Sequence, residues 1–401
     1  MTASSQPGAG RTFLPYGRQS IDEDDIAAVV EVLRSDWLTT GPRVGEFERA
    51  LADATGTREA VAVSSGTAAL HLTMLALRIG PGDEVIVPTL TFAASANCVA
   101  YCGGTPVFAD VCADTLLIDP ADVARRITPR TRAIVAVDYA GQPCDYPALR
   151  ALADEHGLAL VADACHSLGG ALDGRPVGSL ADLTCFSLHP VKNITSGEGG
   201  AVVTDDELLA RRLRSLRNHG VTSDRRERAE AGAWFYEMVE LGFNYRLSDI
   251  GCALALSQLR KLPAFIARRQ QIAALYDAAL QGTAGATPLV TRPGVSNAHH
   301  LYVVRCPARD SVFAALRAAG IGANVHYIPV HLHPYYRERL GTAPGDCPVA
   351  EAAYAEIVSL PVFPQMTDDD VTFCVDALAR ALTDAATNPA EAPAFAEAVA
   401  A

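Results

Sequence analysis

The sequence lacks paired cysteines, long apolar runs and an excess of positive charge. Its ten cysteines stand singly between Cys98 and Cys374 with no CxxC pair. That spacing excludes zinc-ribbon and thioredoxin-like readings. Lys plus Arg number 33 against 46 Asp plus Glu, a formal net charge of −13. A chain this acidic has no general attraction for nucleic-acid phosphate or anionic lipid. No uninterrupted apolar stretch is long enough to span a bilayer. The opening MTASSQPGAGR has no apolar h-region, so no secretory leader is expected, and the expected compartment is the reducing cytoplasm. TSGEGG is glycine-rich but lacks the GxGxxG order, so a dinucleotide site is not expected. The chain is not short of apolar residues: 49% hydrophobic against 20% charged over 401 residues excludes disorder and allows two or three domains.

What is present alternates. IDEDDIAAVVEVLRSD from Ile21 predicts a helix whose acids crowd the N-terminal turn and whose Ile26, Val29, Val30 and Leu33 form one stripe. A second helix is expected from Val44 to Ala54. Then short apolar runs (AVAVSS, EVIVPT, TPVFADV, RAIVAVDYAG, LALVADAC, DLTCFSLH, AVVTD) are separated mostly by helical stretches. Continuous apolar strands interleaved with helices predict an α/β fold with a mostly parallel sheet covered on both faces. Such sheets bind ligands at the C-terminal ends of their strands. The residues to inspect are therefore Ser64 to Thr67, Thr89 to Phe92, Asp138 to Gln142, Asp163 to Ser167 and Ser187 to Lys192. ELLARRLRSLRNHG reads as an amphipathic, basic helix, with its run ARRLRSLRNHG expected to be a solvated face. The stretch from Ser248 to Leu280 reads as one long helix, kinked at Pro263. HLYVVRC, RDSVFAALRAAGI and ANVHYIPV predict strand, helix and strand. The expected division is a flexible terminus over 1–14, a large domain over 15–282, a small α+β domain over 283–384 and a disordered tail over 385–401.

Lys192 follows an apolar strand in CFSLHPVKNITSGEGG, in surroundings poor in charge. A lysine desolvated there has a lowered pKa and can form a Schiff base; a surface loop lysine fits the spacing equally well. Asp163 ends LVAD, where a carboxylate holds a protonated pyridine nitrogen or caps the next helix. Ser64, Ser65, Gly66 and Thr67 stand at a strand-to-helix junction and make an anion cup or an ordinary N-cap. Ser187 can add a hydroxyl. Phe92 can stack on a flat ring or fill core. At the ends of strands in one sheet, this set composes a pyridoxal phosphate site. His331 and His333 form an HLH pair with no third metal ligand in view. His299 and His300 read as a strand start.

SSGTAALH, PTLTFAASAN, DACHSLGG, FSLHPVKNITSGEGGAVVT and LGFNYRLSDI resemble the DegT/DnrJ/EryC1/StrS sugar aminotransferases, from about Pro15 to about Ala381. LPYGRQSIDEDDIAAVVEVLRSDWLTTGP and NVHYIPVHLHPYY most resemble the branch that makes UDP-4-amino-4,6-dideoxy-N-acetyl-β-L-altrosamine on the way to pseudaminic acid. The resemblance implies a pyridoxal 5′-phosphate (PLP) enzyme of fold type I, aspartate aminotransferase-like. It implies that Lys192 carries the internal aldimine and moves the proton, and that Asp163 pairs with the ring nitrogen. Gly66, Thr67 and Ser187 would bind the phosphate, Phe92 would cover the ring, and His166 would lie against the cofactor. Asn244 would reach the phosphate of a neighbouring subunit, making the unit a homodimer. Tyr16, Arg18, Thr39, His326 and Tyr327 would meet substrate. No metal is implied. DYAGQP departs from the more hydrophobic pattern of relatives, so the sugar pocket is expected to differ.

The implied reaction takes the amine of L-glutamate, by way of pyridoxamine phosphate, to the keto carbon, C4, of a nucleotide-linked 6-deoxy keto-sugar. Amination of a cyclitol or of an antibiotic-pathway sugar is an alternative. A sugar dehydratase of the same fold would carry His in place of Lys192. A non-catalytic sensor would need a DNA-binding domain, and no helix-turn-helix candidate precedes residue 20.

Overall fold

The structure, a computed structural model, describes residues 12–223, 228 and 232–387. The expected flexible start lies outside the described residues up to residue 11, as does the expected disordered tail from residue 388.

The acids of IDEDD do what helix electrostatics asks. Asp22 caps helix α1 (Glu23–Leu33) by accepting from the Asp24 and Asp25 N–H groups, and Asp25 closes the capping box. Helix α2 (Pro42–Thr55) ends at Gly56, whose φ of +66° supplies the left-handed C-cap. The apolar runs become strands β1 (Glu59–Val63), β2 (Glu84–Pro88), β3 (Thr105–Ala109), β4 (Thr131–Val137), β5 (Ala159–Asp163), β8 (Leu183–Ser187) and β9 (Gly200–Thr204), with the short antiparallel pair β6 (Ala171–Leu172) and β7 (Arg175–Pro176) between β5 and β8. Between them run helices α3 (Gly66–Ala76), α4 (Ala94–Tyr101), α5 (Pro120–Arg126) and α6 (Tyr146–His156). The strands form one seven-stranded sheet in the order β1-β9-β8-β5-β4-β2-β3. Only β9 runs against the rest, antiparallel to both β1 and β8. Burial on both faces explains the unbroken apolar runs: Val61, Ile86, Val135, Val161 and Val202 are all inaccessible. The reversal at β9 sets the C-terminal ends of β1, β5 and β8 on one edge, and the site lies there.

Helix α7 (Glu207–Leu216) follows, and its basic run is not a solvated face. Arg214 pairs with Glu59 and reaches the Ala60 carbonyl; Arg217 binds Glu48 and the Ala62 carbonyl. These guanidinium groups tie α7 to β1 and α2, and carboxylates that face them across the gap turn the charge inward.

The long helix Asp249–Leu280 stays helical through Pro263. By length and composition it alone, among the described residues, suffices to cross a membrane, yet half of its apolar window is buried in the protein. Its first half packs in the large core through Cys252, Ala255, Leu259, Leu262 and Ile266. Its second half, Ile272 to Leu280, packs in a separate core. That second core lies on the antiparallel sheet of β10 (Thr287–Pro288), β12 (Tyr302–Arg305) and β13 (Ile357–Leu360), with helices Arg309–Ala318 and Asp368–Thr387, while β11 (Val295–Ser296) pairs with β6 instead. The cores do not divide at residue 282. The second begins inside the long helix, and Val330, Tyr336, Ala350 and Ala353 return to the first.

ANVHYIPV is not a strand. It makes only an isolated bridge, Asn324 to Ser359, and then leaves the sheet. Its apolar residues are spent on reaching the large domain: Val330 N–H donates to the Thr89 carbonyl at 2.7 Å. That path carries His326 and Tyr327 to the edge of the large sheet.

Candidate active site

A cavity of about 430 Å³ opens at this edge, between the large sheet and the segment 324–327. Ser65, Gly66 and Thr67 enter it from the end of β1, Asp163, Cys165 and His166 from β5, and Ser187 and Lys192 from β8. Phe92 comes from the turn after β2, and Tyr16, His326 and Tyr327 from the opposite side. Ten of the residues singled out in the sequence therefore meet around one space: Tyr16, Gly66, Thr67, Phe92, Asp163, His166, Ser187, Lys192, His326 and Tyr327.

Three do not line it. Thr39 is exposed on the loop before α2, and Arg18 is exposed beside Pro190 and Asn193 on another side of Lys192. Asn244 is exposed and pairs its backbone with Asn218. The DYAGQP turn is likewise structural. Gln142 donates to the Val290 carbonyl at 3.0 Å and accepts from the Arg292 N–H at 2.7 Å, so it docks the small domain. His331 is buried between Thr89 and Glu351, with its Nε2 2.9 Å from the Glu351 carboxylate, and braces the turn that bears Phe92.

Lys192 is turned in by its own loop, where its N–H donates to the His189 carbonyl at 2.9 Å. Burial lowers the pKa of its ammonium, and the nearby Cys165 and Asp163 oppose that shift. The result is a lysine more easily deprotonated than one in water. Asp163 is buried; one carboxylate oxygen accepts from Ser95 Oγ at 2.6 Å and the other from the Cys165 N–H at 3.3 Å. Ser95 was not read from the sequence, although a hydroxyl one turn after Phe92 at a strand end was the available signal. His166 is held at 3.2 Å from the Tyr327 hydroxyl by its Nε2. Burial, with Lys192 and His326 adding repulsion, keeps it neutral well below its ordinary pKa. Tyr139 donates to the His326 carbonyl, and His326 Nδ1 lies 2.8 Å from Ser359 Oγ.

The phosphate end is built by close approach. Ser65 caps α3 by accepting the Ala68 N–H at 3.0 Å. The N–H groups of the first turn, Gly66 and Thr67, have no partners within the helix. A Cβ on Gly66 would lie 2.9 Å from Ser187 Cβ and 3.1 Å from Cys165 Sγ, so only glycine lets this helix end meet β8. Gly200 on β9 meets the same limit from below, since its Cβ would fall 2.5 Å from the Ser65 carbonyl carbon. The cup fits a phosphate, and the buried, unpartnered Nδ1 of His166 fits a polar group of a bound ring.

The parallel sheet, the helix-end anion cup and the desolvated lysine beside a buried carboxylate define the class of PLP-dependent transferases. Residues 19–379 match the DegT/DnrJ/EryC1/StrS aminotransferase family, and the chain belongs to it. It is 42% identical over 375 residues to the spore coat polysaccharide biosynthesis protein SpsC of Bacillus subtilis, covering 91% of this chain and 96% of that one. Spr1654 from Streptococcus pneumoniae, in its PMP form, superposes with a TM-score of 0.88 at 33% identity, over 92% of this chain and 99% of that one. Helicobacter pylori PseC, an aminotransferase of pseudaminic acid biosynthesis, superposes with a TM-score of 0.87 at 32% identity, over 93% of this chain and all of that one. The protein is a sugar aminotransferase that uses PLP.

Proposed function

We propose that the enzyme moves the amino group of L-glutamate to the keto carbon, C4, of a nucleotide-linked 6-deoxy keto-sugar in the cytoplasm. The observation that carries this reading is Lys192 and Asp163 on one cavity whose floor is a phosphate cup. The likeness to PseC supports the pseudaminic branch, and the likeness to SpsC supports sugar chemistry more broadly. Lys192, in place of the histidine of dehydratases, favours transamination.

Bound in this cavity, PLP supplies an electron sink for the charge that develops at the donor's Cα. Gly66, Thr67 and Ser187 hold its phosphate. Asp163, fixed by Ser95 and the Cys165 N–H, holds a proton at the ring nitrogen. Phe92 covers one ring face, and His166 stays neutral beside it. With the cofactor bound, Lys192 would take up and return the proton of the donor's Cα, a task suited to an amine whose pKa burial has lowered. Tyr16, His326 and Tyr327 face the acceptor. Arg18 and Thr39 bind it from outside the cavity.

The cavity is finished by a second copy of the chain, and Asn244 belongs to the partner's phosphate site. Its exposure supports this role, as does the run of exposed apolar side chains before it, Trp234, Phe235, Tyr236, Met238, Val239 and Leu241.

The test is a panel of UDP- and dTDP-linked keto-sugars and a cyclitol ketone, each with glutamate, read by mass spectrometry. A 4-amino product from a nucleotide sugar and 2-oxoglutarate in equal amount are expected. Amination of the cyclitol ketone alone would overturn the reading.

A further inference from the structure

His300 lies where three distant segments of backbone converge. Gly141, in the turn after β4, has a φ of +106°. A Cβ there would fall 2.8 Å from the N atoms of His299 and His300 and 3.0 Å from the His166 carbonyl. Glycine is thus required for the chain entering β12 to press against the turn after β5. Two backbone bonds lock that approach: Ala298 N–H to the Gly141 carbonyl at 3.0 Å and Leu301 N–H to the Ala140 carbonyl at 3.1 Å. From the other side Arg269, buried in the long helix, donates to the carbonyls of His299 at 3.2 Å and Val362 at 2.8 Å. The His300 carbonyl stands at 3.5 Å from the same nitrogen.

The outcome is a pair of imidazoles. His300 lines the cavity, and its ring centroid is 4.4 Å from that of His166, the planes tilted by 42°. Both side chains are buried, and the Nδ1 of each has no hydrogen-bond partner. We propose that His300 is a positioning residue for amino transfer, acting through His166: its ring backs that imidazole, shields it from water and fixes its plane against the cofactor. This rests on the reading of the cavity as the PLP site.

The surroundings favour neutrality from every side. Burial comes first for both rings; Lys192 from the β8 loop and His326 from the opposite wall oppose a positive charge on either, and Arg269 from the long helix opposes one on His300. Asp163 is held by Ser95 and Cys165, Tyr327 meets His166 through its hydroxyl, and Tyr139 in the Gly141 turn donates to the His326 carbonyl, both phenols being kept protonated by burial. A second imidazolium beside the first would be a like charge at contact distance in a site shielded from water.

The test is a double-mutant cycle on the holoenzyme with H300A, H166F and the pair, with H300Q run in parallel in case H300A folds poorly. Borohydride reduction and peptide mapping come first: label on Lys192 in every variant keeps the cavity as the PLP site, and label elsewhere removes the premise. With that secured, H300A is expected to lower kcat about tenfold with the KM for the amino donor within about twofold. The same change in the H166F background is expected to cost less than twofold, because residues acting through one another are not additive. The acid-side transition in the visible absorbance is expected to move up by about one pH unit in H300A and not in the double variant, since His166 gains water and loses a neighbour. H300Q is expected to behave as H300A does. Equal losses in both backgrounds, or an unmoved transition with only a lower Tm, would overturn the proposal.

Discussion

Lys192 is the residue on which activity is expected to turn. Among the described residues Lys192 is the only amine lining the cavity, and with Lys192→Ala the single-turnover rate is expected to fall by about 10³ or more while PLP still binds. Gly66→Ala forces a methyl to within 2.9 Å of Ser187 Cβ, so α3 must withdraw from β8. PLP release, followed by dialysis and absorbance, is expected to quicken at least about tenfold. Asp138 gives a pH prediction. Burial pushes its carboxyl up to about 6, against the bonds it accepts from Ser167, the Cys144 N–H and Tyr146. The folded state therefore holds this proton longer than the unfolded chain. Asp138 favours folding at low pH, and that advantage is lost as pH rises from about 4 through 6, by an amount on the order of 3 kcal/mol. The difference in unfolding free energy between wild type and D138N is expected to shrink by that amount over this window in urea titrations. Gly66, Asp163, Ser187 and Lys192 were legible because strand ends are where parallel sheets bind, and one-dimensional position reveals a strand end. His300 and Ser95 were not, because their neighbours come from segments far away in sequence.

Elements were legible where the pattern was local. The strand runs, the Asp22 cap of α1 and the proline opening of α5 follow from composition over a few residues. ANVHYIPV misled because its apolar residues serve a crossing between domains, which uses the same side chains as a strand. ARRLRSLRNHG misled because its partners, Glu48 and Glu59, lie more than a hundred residues earlier. Some element ends are set from afar in the same way. Helix α2 begins at Pro42 with a glycine cap that has no side chain to offer, and the cap comes instead from Asp249. The buried Asp249 carboxylate accepts from the Gly41 N–H at 2.7 Å and the Arg43 N–H at 3.0 Å. Asp249→Ala leaves those donors unpaired and is expected to cost about 1–3 kcal/mol by urea unfolding, with Asp249→Asn costing less.

For the whole molecule, the proposal of a shared site makes a prediction that no single chain can meet. Lys192→Ala and Asn244→Ala homodimers are expected to be inactive or nearly so. Mixed after reversible dissociation, they form heterodimers with one intact site, and about a quarter of wild-type activity is expected at equal mixing. Recovery absent from a mixture shown by mass to contain heterodimer would count against sharing. The acidic surface bears on the same molecule. With a net charge of −13, the field outside opposes an anionic ligand such as PLP, so groups such as those at Gly66 and Thr67 are expected to act at contact range.

The long helix that starts in one core and ends in the other has a thermodynamic consequence. Its residues up to Ile266 and from Ile272 onward lie on a single hydrogen-bonded rod, so neither core can melt without fraying the scaffold of the other. Each chain is therefore expected to unfold as one cooperative unit, giving a single calorimetric transition in which both cores melt together at low scan rate.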